Sequence, residues 1–318
     1  MNKKLIAIAV AAGLAIPAAA NADVSGFVDV IYEISDDETL APNTKSATEG
    51  KFTADAEVDF VGTVDGVTVR LDVDFKLGTT ASGEESAHIE QAFFAAPIGG
   101  VTLIGGVFNN PIGHDAEDAP DIDFTSHSIA WDVLNLATEL DGNNVAGLAV
   151  AGQVGPVTLT GAFVNEVQQA NEENSTAIVA NFSPAEGVAL ELGILNFEET
   201  NGLGIGDSLT NINGTWAIDE MFTIGGEIVS YDKGFDSSTS FWAAADLGDF
   251  VIKARIEEMD AETGNAEVER TTFYVGTSLA KNVSVALEVH DIDVTAGGLS
   301  GVNSVDGGQT TIEFIGTF

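Results

Sequence analysis

Apolar and polar residues alternate along most of the chain. Between positions 67 and 77 every second residue is apolar, and the residues between them are Thr68, Arg70, Asp72, Asp74 and Lys76. Successive side chains of a β-strand point to opposite faces, so this alternation predicts a strand with one apolar and one charged face. Residues 51–60 and 283–290 follow the same pattern.

Sixteen segments of this kind are predicted, most of them ten to twelve residues long. They cover residues 24–34, 51–62, 66–77, 87–96, 101–109, 145–154, 156–165, 174–183, 187–198, 209–218, 221–232, 238–247, 249–258, 269–280, 283–293 and 308–318. A tilted strand needs roughly 9–11 residues to cross a bilayer. Apolar runs stay shorter than the roughly 18 residues expected of a transmembrane helix, so none is predicted.

The connections between these segments alternate in length. Every second connection is a short turn, such as Gly155 or Gly248, whereas most of the others are longer, up to residues 110–144. Membrane barrels show this asymmetry between the two sides of the outer membrane. In lipid, a closed barrel also gives every backbone group an inter-strand partner. We therefore predict an all-β fold, a transmembrane antiparallel β-barrel of 16 strands.

Composition narrows the function. The chain has 50 acidic and 11 basic residues, a net charge of −39 and no cysteine. Such acidity repels nucleic acid, and the lack of cysteine excludes thiolate metal sites and thiol nucleophiles. The four histidines lie on separate segments, and the acid-rich run 257–269 lacks the ligand spacing of a calcium-binding loop. We predict no cofactor, no defined metal site and no enzymatic activity.

The first 22 residues have the features of a signal peptide. Lys3 and Lys4 precede an apolar run from Leu5 to Ile16, and Ala20-Asn21-Ala22 supplies small residues for cleavage. We predict a signal peptide at residues 1–22, a barrel domain at 23–318, and export to the cell outer membrane.

Three features resemble the Gram-negative general porins. They are the start of the predicted mature chain at residues 23–29, the last strand ending in Phe318, and the long third external connection, residues 110–144, called loop 3 below. Gly316 departs from the family pattern, where a larger apolar residue is common. The resemblance implies a homotrimer in outer-membrane lipid, with loop 3 folded into the lumen, that passes small hydrophilic solutes and ions by passive diffusion.

Loop 3 itself combines acidic and apolar residues. It contains eight acids, no lysine or arginine, and nine large apolar residues from Ile112 to Leu140. A freely solvated loop is seldom so apolar, so we expect loop 3 to pack against the barrel wall. The alternative is a short external helix through Trp131 to Leu140 that caps the pore mouth.

The predicted pore follows from strand phase and the porin resemblance. General porins carry basic residues opposite loop 3, and Arg70 matches that location, although residues 103–107 lack the expected basic residue. The predicted constriction consists of Arg70 and the loop acids Asp115, Glu117, Asp118, Asp121 and Asp123. The other predicted lumen residues are Lys51, Asp55, Glu57, Asp59, Asp72, Asp74, Lys76, Lys253, Arg255, Glu257 and Arg270.

The excess of acids on the inward face predicts a cation-selective channel. Three alternatives remain open from the sequence. The loop acids could be solvated outside the pore, the channel could be selective for one substrate, or the chain could be an exported acidic β-rich binding or adhesion protein. The last differs from a membrane barrel in dissolving without detergent.

Overall fold

The computed structural model describes residues 21–37, 50, 52–77, 86–138, 143–165, 174–197, 206–262, 267–295 and 307–318. In these ranges the chain forms sixteen strands and one helix. Their bounds are β1 Asn21–Asp37, β2 Phe52–Val64, β3 Val67–Leu77, β4 Ser86–Ile98, β5 Val101–Asn109, α1 Ile129–Thr138, β6 Asn144–Val154, β7 Val157–Asn165, β8 Asn174–Phe182, β9 Val188–Asn196, β10 Ser208–Ala217, β11 Phe222–Tyr231, β12 Phe235–Asp246, β13 Val251–Ala261, β14 Glu267–Ala280, β15 Val283–Thr295 and β16 Gly307–Thr317.

Each strand pairs antiparallel with its neighbours in sequence, and the sheet closes on itself. β1 pairs with β16 from Phe27 opposite Thr317 to Asp37 opposite Gly307, so the barrel has no free edge. The predicted 16-stranded antiparallel barrel is confirmed, with strand ends within a few residues of their expected positions. The signal peptide stays a prediction, because residues 1–20 lie outside the described residues.

The two faces of the strands differ as the alternation predicts. On the outer face, Val69, Ile178 and Phe273 are 53%, 59% and 60% exposed, whereas the inward side chains of Glu57 and Asp72 are buried. An exposed apolar surface of this kind is stable where lipid or a neighbouring subunit covers it.

The turn between β2 and β3 illustrates how the short connections are made. Asp65 and Gly66 both have positive φ angles, 52° and 82°. Two consecutive residues with positive φ match the right-handed twist of the strands that they join, and Asp-Gly is a favoured pair for this turn. The predicted strand start at residue 66 therefore shifts to Val67.

A β-bulge interrupts the alternation in β4. In the β3–β4 ladder Asp72 lies opposite Gln91 and Val73 lies opposite Ile89, so Glu90 has no cross-strand partner. Both Glu90 and Gln91 are buried, whereas Ile89 is 61% exposed on the outer face. The extra residue lets two consecutive side chains, those of Glu90 and Gln91, face inward, where strict alternation would allow only one.

Loop 3 contains the helix α1. Ser128 caps its N-terminus, because the Ser128 hydroxyl accepts a hydrogen bond of 3.1 Å from the backbone N–H of Trp131. Ile129, Val133 and Leu134 are buried, and the helix packs against β6, β12 and β13. Among the described residues, no helix is long and apolar enough to cross a membrane.

Paired substitutions on β2 test the assignment of faces. Val58 lies in the outward phase near the middle of β2, and Asp55 is an exposed residue of the opposite phase. We expect Val58→Arg to lower the free energy of unfolding from lipid vesicles by roughly 2–4 kcal/mol, and Asp55→Arg to change it little. Equal costs for the two variants in urea titrations would contradict the assignment.

Candidate functional site

The apolar side of loop 3 packs on inward-turned residues of the barrel wall. Ile112 and three residues of α1, Ile129, Val133 and Leu134, are 1–2% exposed. They belong to one buried cluster with inward-turned wall residues of β6–β14, which include Val145, Ala149, Val164, Val179, Leu195, Leu209, Val229, Met259 and Val268. At this level β6–β14 carry apolar residues on the inner as well as the outer face, so loop 3 has an apolar surface on which to pack.

Wall carboxylates accept hydrogen bonds from the loop backbone. The N–H of His114 donates to Glu227 Oε1 at 2.9 Å, that of Thr125 to Glu288 Oε2 at 2.8 Å, and that of Ile129 to Glu257 Oε1 at 2.9 Å. The backbone N–H of Gly113 and the hydroxyl of Thr125 bond in the same way to Glu191 and Glu313. These bonds satisfy loop backbone groups that lie away from water.

Two arginines of the barrel wall donate hydrogen bonds to carbonyl groups of loop 3. Arg255 Nη2 donates to the carbonyl oxygens of Ser126 and His127, each at 2.9 Å, and Arg270 donates to the carbonyl of His127 as well. Glu257 lies between them, 2.9 Å from Arg255 Nε and 2.7 Å from Arg270 Nε. All three side chains are nearly fully buried, so this triad holds the loop rather than lining open water.

The five predicted constriction acids separate into different environments. Asp115 is 5% exposed; it accepts a 2.6 Å hydrogen bond from the N–H of Ser128 and lies 3.8 Å from Arg255 Nη1. Asp123 lies 3.3 Å from His114 Nε2, and its carbonyl accepts a hydrogen bond from Lys253. Asp121 is exposed and Glu117 is half-buried.

Asp118 is the loop acid whose contact reaches Arg70. Arg70 Nη2 lies 3.7 Å from Asp118 Oδ2, 3.0 Å from Asp59 and 3.8 Å from Glu57, and Arg70 Nε pairs with Asp72. The predicted opposition of Arg70 and the loop acids is thus a direct contact at Asp118. In the described part of the chain, Arg70 has acids from β2, β3 and loop 3 around it.

The other predicted lumen residues follow the expected phase where the structure describes them. Asp55 is exposed in the inward phase of β2, Asp74 lies 3.5 Å from His88, and Lys253 lies 4.6 Å above the ring of Tyr274. Lys51 lies outside the described residues, as does the side chain of Lys76.

Sequence reasoning missed several inward acids, among them Glu90, Glu191 and Glu227. The alternating phase of β9 and β11 carried enough signal to find Glu191 and Glu227, because Glu191 lies between the outward Leu190 and Leu192 and Glu227 precedes the outward Ile228. Glu90 carried a mixed signal, because it shares the inward phase of His88 but also the phase of the outward Phe94, and the bulge in β4 separates the two halves of the strand.

Burial changes the protonation of three loop 3 residues. It lowers the pKa of His127 to about 4, an effect that nearby Arg255 and Arg270 reinforce and Asp115 opposes. It raises the pKa of Asp132 to about 6, and raises that of Asp118 although Arg70 acts in the opposite direction. His127 is therefore neutral at pH 7, stacked on Trp131 with ring centroids 3.5 Å apart.

Truncation of a buried helix residue tests the docking of loop 3. Leu134 is 1% exposed beneath α1, whereas Leu148 is 52% exposed on the outer face of β6. We expect Leu134→Ala to lower the free energy of unfolding by about 2–5 kcal/mol, because it leaves a cavity. Leu148→Ala, measured by the same denaturant titration, serves as the control, and an equal or larger loss there would argue against a docked helix.

The protonation of His127 predicts a dependence on pH. In the unfolded chain a histidine takes up a proton near pH 6.5, whereas folded His127 does so near pH 4. Its contribution to stability is therefore present above pH 6.5 and is lost as the pH falls toward 4. We expect the free energy of unfolding to decline less steeply across this window in His127→Gln than in the parent. His88→Gln, which keeps His127, should retain the parent's decline.

Comparison with solved structures gives independent support for the 16-stranded barrel. Solved structures of engineered variants of the Rhodopseudomonas blastica porin superpose with TM-scores of 0.64 and 0.65 at 15% and 14% sequence identity. Each covers 94% of this chain and all of the porin chain. A further neighbour, described as concerning asymmetric conductivity of engineered proteins, superposes equally well. No protein-family model and no curated protein sequence matches the chain. The chain therefore has the fold of the 16-stranded porins.

Proposed function

We propose that this protein is an outer-membrane porin, a water-filled channel through which small hydrophilic solutes and ions diffuse passively. The observation that carries the proposal is a closed barrel with an exposed apolar outer face and an inner face rich in charged residues. Lipid covers the first face and water the second, so a polar path crosses the apolar layer. The fold supports a channel in preference to an enzyme.

We infer that loop 3 narrows the polar path through the barrel. Its contacts lie on opposite parts of the ring: Asp118 reaches Arg70 on β3, whereas residues 113–129 bond to carboxylates on strands from β9 to β16. A segment that contacts both parts of a closed ring passes through its interior. These contacts favour the inward loop over an external helix that caps the pore mouth.

The balance of available charge favours cations. Arg255 and Arg270 are buried in contacts with Glu257 and loop carbonyl oxygens, and Arg70 lies among acids. Their positive charges are locally compensated, whereas Asp55 and Asp121 are exposed. A Debye length of about 8 Å at physiological salt lets such acids act across a narrow passage. We infer a negative potential at the constriction, which concentrates cations.

A homotrimer is part of the proposal, because part of the apolar outer face would then lie between subunits. The alternatives have weaker support. A substrate-selective channel of the kind that guides its ligand along aromatic rings would require a row of them. Among the described residues, Tyr274 packs edge-on against Phe124 of loop 3 instead. An exported acidic binding protein would require its apolar strand faces to form a core, whereas here these faces lie on the outside.

Reversal potentials across a tenfold KCl gradient in planar bilayers test the selectivity. We expect cation preference in the parent, and a several-fold weaker preference when Glu117, Asp118 and Asp121 are changed to the corresponding amides. Asp115 is left intact because it holds the loop through Ser128 and Arg255.

The matched control changes Glu258, Asp260 and Glu267 to amides, which removes the same number of charges near the ends of β13 and β14. It should keep most of the parent's cation preference. Anion preference in the parent would reject cation selectivity, and an equal effect of the two triple variants would remove loop 3 from the filter. Absence of any conductance would reject the channel itself.

A further inference from the structure

Three carboxylates from three different elements meet where loop 3 touches the wall. They belong to Glu57 on β2, Glu90 on β4 and Asp118 in loop 3, and one carboxylate oxygen from each lies within 4.8 Å of the others. Residues far apart in sequence thus present three oxygen ligands to one small volume.

The carboxylate of Glu90 is buried, and only one of its two oxygens has a hydrogen-bond partner among the described residues. Its side chain is 4% exposed, and Oε1 accepts a 2.8 Å hydrogen bond from Asn144 Nδ2. Its Oε2 has no hydrogen-bond partner among the described residues. Glu57 Oε1, whose side chain is 2% exposed, has no hydrogen bond there either and lies 3.8 Å from Arg70 Nη2. A buried carboxylate oxygen without a partner costs free energy, so such groups are normally paired or bound to a metal ion.

The β-bulge in β4 places two neighbouring residues, Glu90 and Gln91, on the inner face. Glu90 is the extra residue of the β3–β4 ladder, and it faces inward beside Gln91, where strict alternation would allow only one of the two to do so. Bulges commonly re-aim a side chain next to a functional site. Glu90 is therefore unpaired in the β3–β4 ladder, and its carboxylate joins a cluster that is already acidic.

Among the described residues, nearby positive charge does not balance this cluster. Arg70 Nη2 lies 3.8 Å from Glu57 and 3.7 Å from Asp118, but it is also shared with Asp59, and its Nε pairs with Asp72. One guanidinium therefore serves four carboxylates, and Glu90 adds a fifth. Like charges at this separation repel strongly unless a cation or a proton intervenes.

We propose that Glu57, Glu90 and Asp118 bind one Ca²⁺ ion. Carboxylate oxygens are the preferred ligands of this hard cation, and its flexible coordination suits ligands from two strands and a loop. Water completes the remaining positions. The ion ties the edge of loop 3 to β2 and β4, and it reduces the negative potential beside Arg70. Its effect on ion flow rests on the proposed channel function, whereas its binding does not.

Calorimetric titration of the detergent-solubilised, EDTA-treated full chain with CaCl₂ tests the site directly. We expect the parent to bind one tight Ca²⁺ per chain, above a background of weak surface binding, with a dissociation constant below about 1 mM. Glu90→Gln and, separately, Asp118→Asn should each weaken the tight class at least tenfold. Asp118 lies in the loop and not in the sheet, so its variant tests the site even where the change on β4 impairs folding.

Glu258→Gln is the matched control, because Glu258 is exposed and belongs to a separate group of acids with the half-buried Asp260 and Glu267. It should leave the tight class unchanged. Absence of a tight class in the parent, or an equal loss in the control, would overturn the proposal.

Conductance of the same preparations separates the site from the channel. We expect Ca²⁺ to lower the cation preference of the parent and to have a weaker effect on Glu90→Gln. Tight Ca²⁺ binding without conductance would reject the channel but keep the site. Conductance without tight binding would reject the site but keep the channel.

Discussion

Backbone hydrogen bonding in a medium without water is the constraint on which the whole structure depends. In lipid, an unpaired N–H or C=O group costs several kcal/mol, and an open sheet would expose two edges of them. The pairing of β1 with β16 removes both edges. Once the sheet closes, one face of every strand must turn inward and the other outward, and the alternating sequence fits that division.

The same constraint governs the interior. Loop 3 carries its own backbone groups into contact with the wall, and these need partners as well. Wall acids such as Glu227, Glu257 and Glu288 accept hydrogen bonds from the loop N–H groups, while Arg255 donates to the carbonyls. Part of the large negative charge of the chain is therefore structural. The acids that hold the loop are buried, and in the proposed channel the exposed ones would set the potential of the pore.

This division separates the two sides of loop 3. Toward β6–β14 the loop packs through α1 on apolar wall residues and through the Arg255–Glu257–Arg270 triad. Toward β2–β4 it presents Asp118 to Arg70 and its surrounding acids. The docked side supplies rigidity and the acidic side supplies charge. In the proposed channel, selectivity and stability would thus depend on different residues of one segment.

Much of the fold could be predicted from local pattern. Period-two alternation and turn residues such as Asp65-Gly66 involve residues that are close in sequence. The number of strands, their two faces and the barrel itself could therefore be predicted from the sequence. The acidic and apolar character of loop 3 also indicated that the loop packs against the wall. These features are local, because side-chain direction in a strand depends on position alone.

Tertiary structure decided which loop acid meets which wall residue. Asp115 and Asp118 lie three positions apart in similar sequence, yet one contacts Arg255 on β13 and the other Arg70 on β3. Glu90 is the clearest case. Glu90 and Gln91 are consecutive residues that both face inward, and the bulge that allows this depends on the register of β4 against β3. Such contacts join residues distant in sequence, and the path of the backbone, rather than the local pattern, determines them.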